Sequence, residues 1–135
     1  MEQCLFCQII VGKIPSRKIY EDKDIFAFLD ITPNSDGHSL VIPKKHSVDL
    51  QSTDLETLKA VSVGRKIVAD ILKAKLAKPV KGFNFVSNQG SEAFQMVFHY
   101  HEHVIPKYIK EEGFLINKNE QNLSDLDEIH KQLTS

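Results

Sequence analysis

The sequence lacks the features that would place the protein at a membrane or on a polyanion. No apolar run approaches the ~20 residues that a membrane-spanning helix needs, and the N-terminus has no signal-peptide pattern. The 17 basic and 18 acidic residues leave a formal net charge of −1, so no charge excess favours nucleic acid or an anionic membrane as a partner. We therefore expect a cytoplasmic protein that binds neither.

Cysteine is also scarce. The chain has two, both in the segment Cys4-Leu5-Phe6-Cys7, which excludes a disulfide framework. A Cys-x-x-Cys pair is typical either of a redox centre or of half a zinc site. A thioredoxin-like redox motif should follow a strand inside a βαβ unit, whereas this motif lies at the start of the chain, which weakens the redox interpretation.

The patterning predicts one α+β domain, and 135 residues fit a single core. Apolar and branched runs between turn residues predict five short strands, at 18–21, 24–30, 38–43, 82–88 and 95–106. A short helix is expected over 4–12, a long one over about 54–77 and a terminal amphipathic one over 123–133. Thr53 and Glu56 form a capping box for the long helix, in which Ala60, Val63, Ile67, Ile71 and Ala74 recur at helical spacing. Short links between strands favour an antiparallel sheet with the long helix on one face.

Three histidines, His99, His101 and His103, recur at two-residue spacing in the fifth predicted strand. In a strand such residues share one face, and their neighbours Tyr100 and Glu102 share the other. Imidazoles on a buried face need polar partners, so a chemical role is favoured over packing. A histidine-rich metal strip or a surface strand is the alternative.

The spacing also indicates a division of labour among the histidines. His101 could donate one ring N–H to a backbone carbonyl two residues back, near His99, which would leave its other nitrogen free as a nucleophile. His103 could then donate to a leaving group or an anionic oxygen. This arrangement suits group transfer through a covalent intermediate.

The segment His99-Tyr100-His101-Glu102-His103-Val104-Ile105-Pro106 resembles the signature of the histidine triad (HIT) family. Further blocks are similar in order and spacing, namely 28–31, 37–46, 88–90 and Gln95. The chain is most similar to small bacterial members of the Hint branch. The resemblance implies a HIT domain over residues 1–110, a tail with a short helix over 111–135 that is part of the same domain, and a homodimer whose sheets continue into each other.

The resemblance further implies the roles of individual residues. His101 would attack the α-phosphorus of a purine nucleotide, with His103 and His99 completing the catalytic set. The implied nucleotide contacts are Asp30 for the ribose hydroxyls, Asn88, Gln95 and the backbone around Met96 for the phosphate, and Phe6, Ile9, Ile14, Phe28 and Ile31 for the base. On local pattern alone, Asp30 fits a turn carboxylate that binds nearby backbone N–H groups equally well; the neighbouring family blocks favour ribose.

A zinc site follows from the same comparison. Cys4, Cys7, His46 and His99 resemble the zinc-binding set of related bacterial proteins, and two sulfurs with two nitrogens suit one closed, structural Zn²⁺ per chain. The alternative is a pair of reduced cysteines with His46 on the surface. His38 is interpreted as structural and His130 as a solvated helix residue.

Two positions depart from the family pattern. Glu102 replaces a hydrophobic residue and would need a partner or solvent on the helix side. Met96 stands where a small hydroxyl residue is common near the leaving group. The resulting hypothesis is a nucleotide hydrolase or transferase acting on purine nucleoside phosphoramidates; a dinucleoside polyphosphate hydrolase and a non-catalytic nucleotide-binding module are the alternatives.

Overall fold

The computed structural model describes residues 3–135 and contains one five-stranded antiparallel sheet in the order β1-β2-β3-β5-β4. The predicted α+β fold is confirmed, although residues 1 and 2 of the predicted 1–110 domain lie outside the described part. The strands are β1 (Lys18–Glu21), β2 (Ile25–Leu29), β3 (Ser39–Pro43), β4 (Gly82–Val86) and β5 (Glu102–Lys107). The helices are α1 (Leu5–Ile10), α2 (Leu55–Lys75) and α3 (Leu126–Thr134), with a 3₁₀ turn at Ser91–Ala93.

The long helix α2 covers one face of the sheet. Its buried face consists of Val61, Gly64, Val68, Ala69 and Leu72, one position away from the sequence pattern, in which Val63 is 59% exposed. The predicted buried face is one position off because glycine is not hydrophobic, so the pattern of apolar residues does not mark Gly64 as a core position. A Cβ there would lie 2.4 Å from Ile25 Cδ1, so the absent side chain lets the helix approach β2 closely.

The start of α2 differs from the predicted capping box by one residue. Asp54 is the N-cap, and its carboxylate accepts the Thr57 N–H at 2.9 Å. The Thr53 hydroxyl instead donates to the Asp49 carbonyl at 2.7 Å. A hydroxyl committed to the preceding turn is not free to cap the helix.

The short helix α1 covers the opposite face of the sheet. Phe6 and Ile9 are its buried residues, and they join a second core cluster with Phe26, Phe28, Leu40 and Ile42. Central strands β2 and β3 are therefore buried on both sides. This packing brings the N-terminal cysteines to the face that carries the histidines.

The predicted fifth strand begins later than the sequence pattern indicates. β5 starts at Glu102, so only His103 of the three histidines lies in it, and the prediction of a strand over 95–106 is wrong for its first half. Residues before it bind loops instead: the Gln95 N–H donates to the Gly90 carbonyl at 3.0 Å and the Tyr100 N–H to the Ser47 carbonyl at 2.8 Å. The polypeptide there pairs with none of the described strands, although its side chains still alternate, with Val97 packed against the α1 cluster and Tyr100 in the α2 cluster.

The tail after the sheet is exposed throughout residues 115–135. Helix α3 begins at the Asp125 cap and has no buried residue. The predicted terminal helix is therefore present, while its membership of the same domain stays a prediction. Among the described helices, none is both long and apolar enough to cross a membrane.

Candidate active site and metal site

The protonated nitrogen of His99 and of His101 is identified by a backbone carbonyl. His99 Nε2 lies 2.8 Å from the Pro43 carbonyl, and His101 Nδ1 lies 2.7 Å from the His99 carbonyl. A carbonyl can only accept, so each of these nitrogens donates its N–H. His99 therefore presents the Nδ1 lone pair and His101 the Nε2 lone pair. The hydrogen bond predicted for His101 is present, even though its residue lies outside a strand.

A fourth histidine, His38, sets the tautomer of His103. The Asn34 backbone N–H donates to His38 Nδ1 at 3.0 Å, so the neutral His38 ring carries its proton on Nε2. That nitrogen lies 3.0 Å from His103 Nδ1 and donates to it. His103 then carries its own proton on Nε2, where it can donate to a ligand. The bond across the sheet fits the predicted structural role of His38, but its place beside His103 was missed; the block 37–46 was the available signal.

Burial keeps the histidines of this site neutral. It lowers the pKa of His101 below the ordinary value and lowers that of His103 to about 4, helped by the neighbouring His101 and His38. At neutral pH, His101 therefore has an available lone pair while His103 is a neutral N–H donor. A ring nitrogen with a free lone pair and a ring N–H donor therefore lie side by side, with the His101 and His103 ring centroids 5.1 Å apart.

Four side chains from three separate segments converge at the start of α1. The ligand atoms of Cys4, Cys7, His46 and His99 all lie within 4.8 Å of one another. His99 Nδ1 lies 3.4 Å from Cys4 Sγ, 3.6 Å from Cys7 Sγ and 3.2 Å from His46 Nδ1. Cys7 Sγ lies 3.4 Å from His46 Nδ1.

These separations fit a tetrahedral metal. Zinc bonds of about 2.3 Å to sulfur and about 2.05 Å to nitrogen would separate two nitrogens by about 3.3 Å and nitrogen from sulfur by about 3.6 Å. The His99 ring also already directs its lone pair to this point because its Nε2–H is held by Pro43. The residues present therefore match the two-sulfur, two-nitrogen set that the sequence comparison implied.

Comparison with known proteins agrees with this geometry. Residues 11–110 match the HIT domain family. The chain belongs to the HIT family.

Three proteins illustrate the similarity of this HIT protein to known sequences and structures. An uncharacterized HIT-like protein of Mycoplasma genitalium is 47% identical over 97% of the chain and 92% of its own length. The adenosine 5′-monophosphoramidase HNT1 of Saccharomyces cerevisiae is 36% identical over 96% of the chain and 80% of its own. A crystal structure of a zinc-bound histidine triad family protein from Mycobacterium smegmatis superposes with a TM-score of 0.77, at 38% identity, over 87% of this chain and 85% of that one.

The predicted ribose residue of the HIT protein, Asp30, lies beside the histidines and also closes a turn. Its Oδ1 accepts the Thr32 N–H at 2.8 Å and the Thr32 hydroxyl at 3.1 Å. Its Oδ2 lies 3.4 Å from His38 Nε2 and 4.0 Å from His103 Nδ1. The local turn role is thus present, and the second oxygen faces the site.

The apolar residues predicted for the base fall into two groups. Phe6, Ile9 and Phe28 are buried, and the Phe6 ring stands edge-on to His101 with centroids 5.1 Å apart. Ile14 is half-buried against the same cluster, whereas Ile31, next to Asp30, is 83% exposed. The buried members form one wall of the site, and Ile31 is free to contact a ligand.

The residues predicted to contact the phosphate differ in how exposed their side chains are. Gln95 is buried, and its amide accepts the Gly90 N–H at 2.8 Å and donates to the Val48 and Val97 carbonyls at 2.7 and 3.1 Å. It therefore braces the loop before the histidines. Asn88 is half-buried in the loop after β4, and Met96 is 88% exposed, so both have side chains accessible to a ligand.

Proposed function

We propose that this HIT protein is a nucleotide hydrolase or transferase that acts at the α-phosphate through a nucleotidyl-histidine intermediate. The observation that carries the proposal is the pair of opposite tautomers: His101 offers a lone pair at Nε2, and His103 offers an N–H at Nε2 beside it. One is required to attack phosphorus and the other to bind a phosphate oxygen or the departing group.

The first step forms a bond between His101 Nε2 and phosphorus as the bond from phosphorus to the leaving group breaks. The Nδ1–H bond to the His99 carbonyl stabilises the positive charge that develops on the ring. The leaving group departs with the bonding electrons and takes up a proton from solvent, while the His103 Nε2–H donates a hydrogen bond to it or to a phosphate oxygen. Water then attacks phosphorus as the bond from phosphorus to His101 Nε2 breaks; the water gives its proton to solvent, the nucleoside monophosphate is released and His101 is neutral again.

The substrate class that we propose is the purine nucleoside phosphoramidates. Support comes from the yeast relative, whose name states adenosine 5′-monophosphoramidase activity. The apolar wall of Phe6, Ile9 and Phe28 suits a planar base, and Asp30 Oδ2 can accept from a ribose hydroxyl. A dinucleoside polyphosphate hydrolase would use the same histidines, so the leaving group distinguishes the two.

We propose that one structural Zn²⁺ occupies the cluster of Cys4, Cys7, His46 and His99. The tetrahedral spacing supports it, and four protein ligands leave no open position for substrate. When bound, the metal supplies a crosslink between the N-terminal segment, the end of β3 and the catalytic segment.

We also propose a cytoplasmic homodimer. Strand β4 is an edge of the sheet. Phe85 on this strand is 47% exposed, and the segment between β4 and β5 carries Phe94, Met96 and Phe98, which are 47–88% exposed. An unpaired edge and exposed apolar side chains suit a second copy of the chain. Size-exclusion chromatography with light scattering should give about twice the 15.3 kDa chain mass; a monomer at micromolar concentration would contradict the proposal.

The deciding experiment is intact-protein mass spectrometry during turnover of adenosine 5′-phosphoramidate. A transient adenylyl adduct should map to His101, and His101→Asn should lose it together with about three orders of magnitude or more of turnover. His130→Asn, at an exposed position on α3, is the matched control. Nucleotide binding without adduct or turnover would leave the non-catalytic binding module, and faster turnover of a diadenosine polyphosphate would favour the alternative hydrolase.

A further inference from the structure

Glu102 lies between the two histidines of the proposed reaction and is only 3% exposed. A buried carboxylate is costly unless it is paired and hydrogen-bonded. Its Oε2 accepts the Tyr100 hydroxyl at 2.6 Å, and its Oε1 lies 3.6 Å from Arg65 Nη1 on α2. The charge that departs from the family pattern therefore has two partners on the helix side of the sheet.

The bond between Tyr100 and Glu102 straddles the proposed nucleophile. Its two side chains belong to the residues immediately before and after His101, and both point to the face opposite the histidine. Tyr100 is 3% exposed and packs in the core under α2. A carboxylate can only accept, so the Tyr100 phenol is the donor in this bond.

This position is where the backbone has little other support. The sheet ladder begins only at Glu102, which pairs with Val41 of β3. One residue earlier than His101, the Tyr100 N–H binds the Ser47 carbonyl of a loop. His101 thus connects a loop-bound segment to a strand, and the phenol–carboxylate bond is a direct link between the two sides of that connection.

We propose that Tyr100 and Glu102 form a clamp that positions His101 for attack, with Arg65 holding the carboxylate in place. The proposal rests on the function proposed above. Arg65 is suited to the task because its guanidinium also lies over the Phe85 ring on β4, 5.9 Å from the ring centre, and this second contact helps to restrain it. The clamp acts through His101, so it should affect the chemical step more than nucleotide binding.

The test compares kcat and KM for adenosine 5′-phosphoramidate in three variants. Tyr100→Phe removes only the hydroxyl, and a nucleophile displaced by up to about 1 Å can lose up to about a hundredfold in rate. We expect kcat to fall at least about tenfold with KM within about twofold. Glu102→Gln retains an oxygen that can accept a hydrogen bond from the phenol, so it should keep kcat within about threefold. Glu102→Leu removes the acceptor and should resemble Tyr100→Phe.

Tyr20→Phe is the matched control. The Tyr20 hydroxyl donates to Asp22 Oδ2 at 2.9 Å, which is the same phenol–carboxylate bond at the same two-residue spacing, in the β1–β2 hairpin. Tyr100→Phe should lose more stability, because its bond is buried whereas that of Tyr20 is only partly buried, but only Tyr100→Phe should lose kcat per folded molecule. The rate of adduct formation per folded molecule, measured at a temperature where circular dichroism shows native protein, keeps the comparison valid for a destabilised variant.

A kcat for Tyr100→Phe within twofold of the unmutated protein would overturn the clamp, as would a loss in Glu102→Gln as large as that in Glu102→Leu. Either result leaves the nucleotidyl-histidine proposal intact, because that proposal is judged on the adduct in the unmutated protein. Absence of the adduct there would instead reject the proposed function before any variant is compared.

Discussion

Zinc linkage gives a quantitative prediction for the cluster of Cys4, Cys7, His46 and His99. A ligand that binds only the folded state stabilises it by about 1.4 kcal/mol for each tenfold increase in free concentration above its Kd. An unfolding entropy of about 2.1 cal/mol/K per residue gives about 0.28 kcal/mol/K for the 135 residues. The melting temperature should therefore rise by about 5 °C per decade of free zinc.

The measurement is a series of thermal melts in zinc buffers that span nanomolar to micromolar free metal. Cys7→Ser and His46→Ala each remove one of four ligands, so both should flatten the slope over this range. His130→Ala removes an exposed histidine outside the cluster and should keep the slope of the unmutated protein. Elemental analysis of protein purified without chelator should give one zinc per chain.

Turnover distinguishes a structural metal from a catalytic one. The proposed attack of His101 on phosphorus requires no metal-bound water, so Cys7→Ser should retain part of its activity while it remains folded. A melting temperature that does not respond to zinc would refute the ligand assignment. Complete loss of turnover in folded apoprotein, restored by added zinc, would refute the structural role instead.

Three further predictions address single side chains. Burial lowers the pKa of His103 to about 4, below its ordinary value of about 6.5, so the unfolded chain binds a proton at higher pH than the folded protein and stability is lost as pH falls from about 6.5 to about 4. Urea titrations should show the unmutated protein losing about 2–3 kcal/mol more of its unfolding free energy than His103→Asn over that window. Parallel curves of unfolding free energy against pH for the two proteins would contradict this prediction. Gly64→Ala should lower the urea midpoint of unfolding, because overpacking against Ile25 costs about 1–3 kcal/mol, while the better helix propensity of alanine returns only about 1 kcal/mol. Ser62→Ala, at an exposed position of the same helix, should not lower it. An unchanged midpoint for Gly64→Ala would show that α2 can shift to accommodate the added methyl group. Calorimetry should show AMP binding about tenfold more tightly than 2′-deoxy-AMP, with Asp30→Ala erasing the difference; equal affinities for the unmutated protein would count against the ribose role.

The parts of the site that could be predicted from the sequence depend on short-range geometry. A histidine can reach the carbonyl two residues earlier in any extended segment, so the bond from His101 to the His99 carbonyl did not require a strand. The meeting of the Cys4-x-x-Cys7 pair with His46 and His99 followed from resemblance to a family, since three separate segments supply the ligands.

The features of the fold and site that could not be predicted depend on which of several possible acceptors a backbone N–H group binds. Alternation of side chains indicates extended backbone, but the start of β5 is decided by the Tyr100 N–H binding the Ser47 loop and not a strand. The role of His38 is similar, because it depends on the Asn34 N–H four residues earlier in the chain and on His103 across the sheet. Hydrophobicity carries no information on either choice.

The two histidines of the proposed reaction are held in place by different hydrogen-bond partners, so a perturbation that displaces one of them need not displace the other. His101 depends on the carbonyl of His99, whose ring belongs to the metal cluster, so displacement of His99 moves the acceptor that orients the nucleophile. His103 depends on His38, which is held by the loop at Asn34 and makes no contact with that cluster. Loss of zinc should therefore misalign the nucleophile, while the donor beside it keeps its tautomer. Such a defect should lower kcat, and KM should rise with it, because Phe6 of the proposed base wall lies between Cys4 and Cys7 on the segment that zinc would hold.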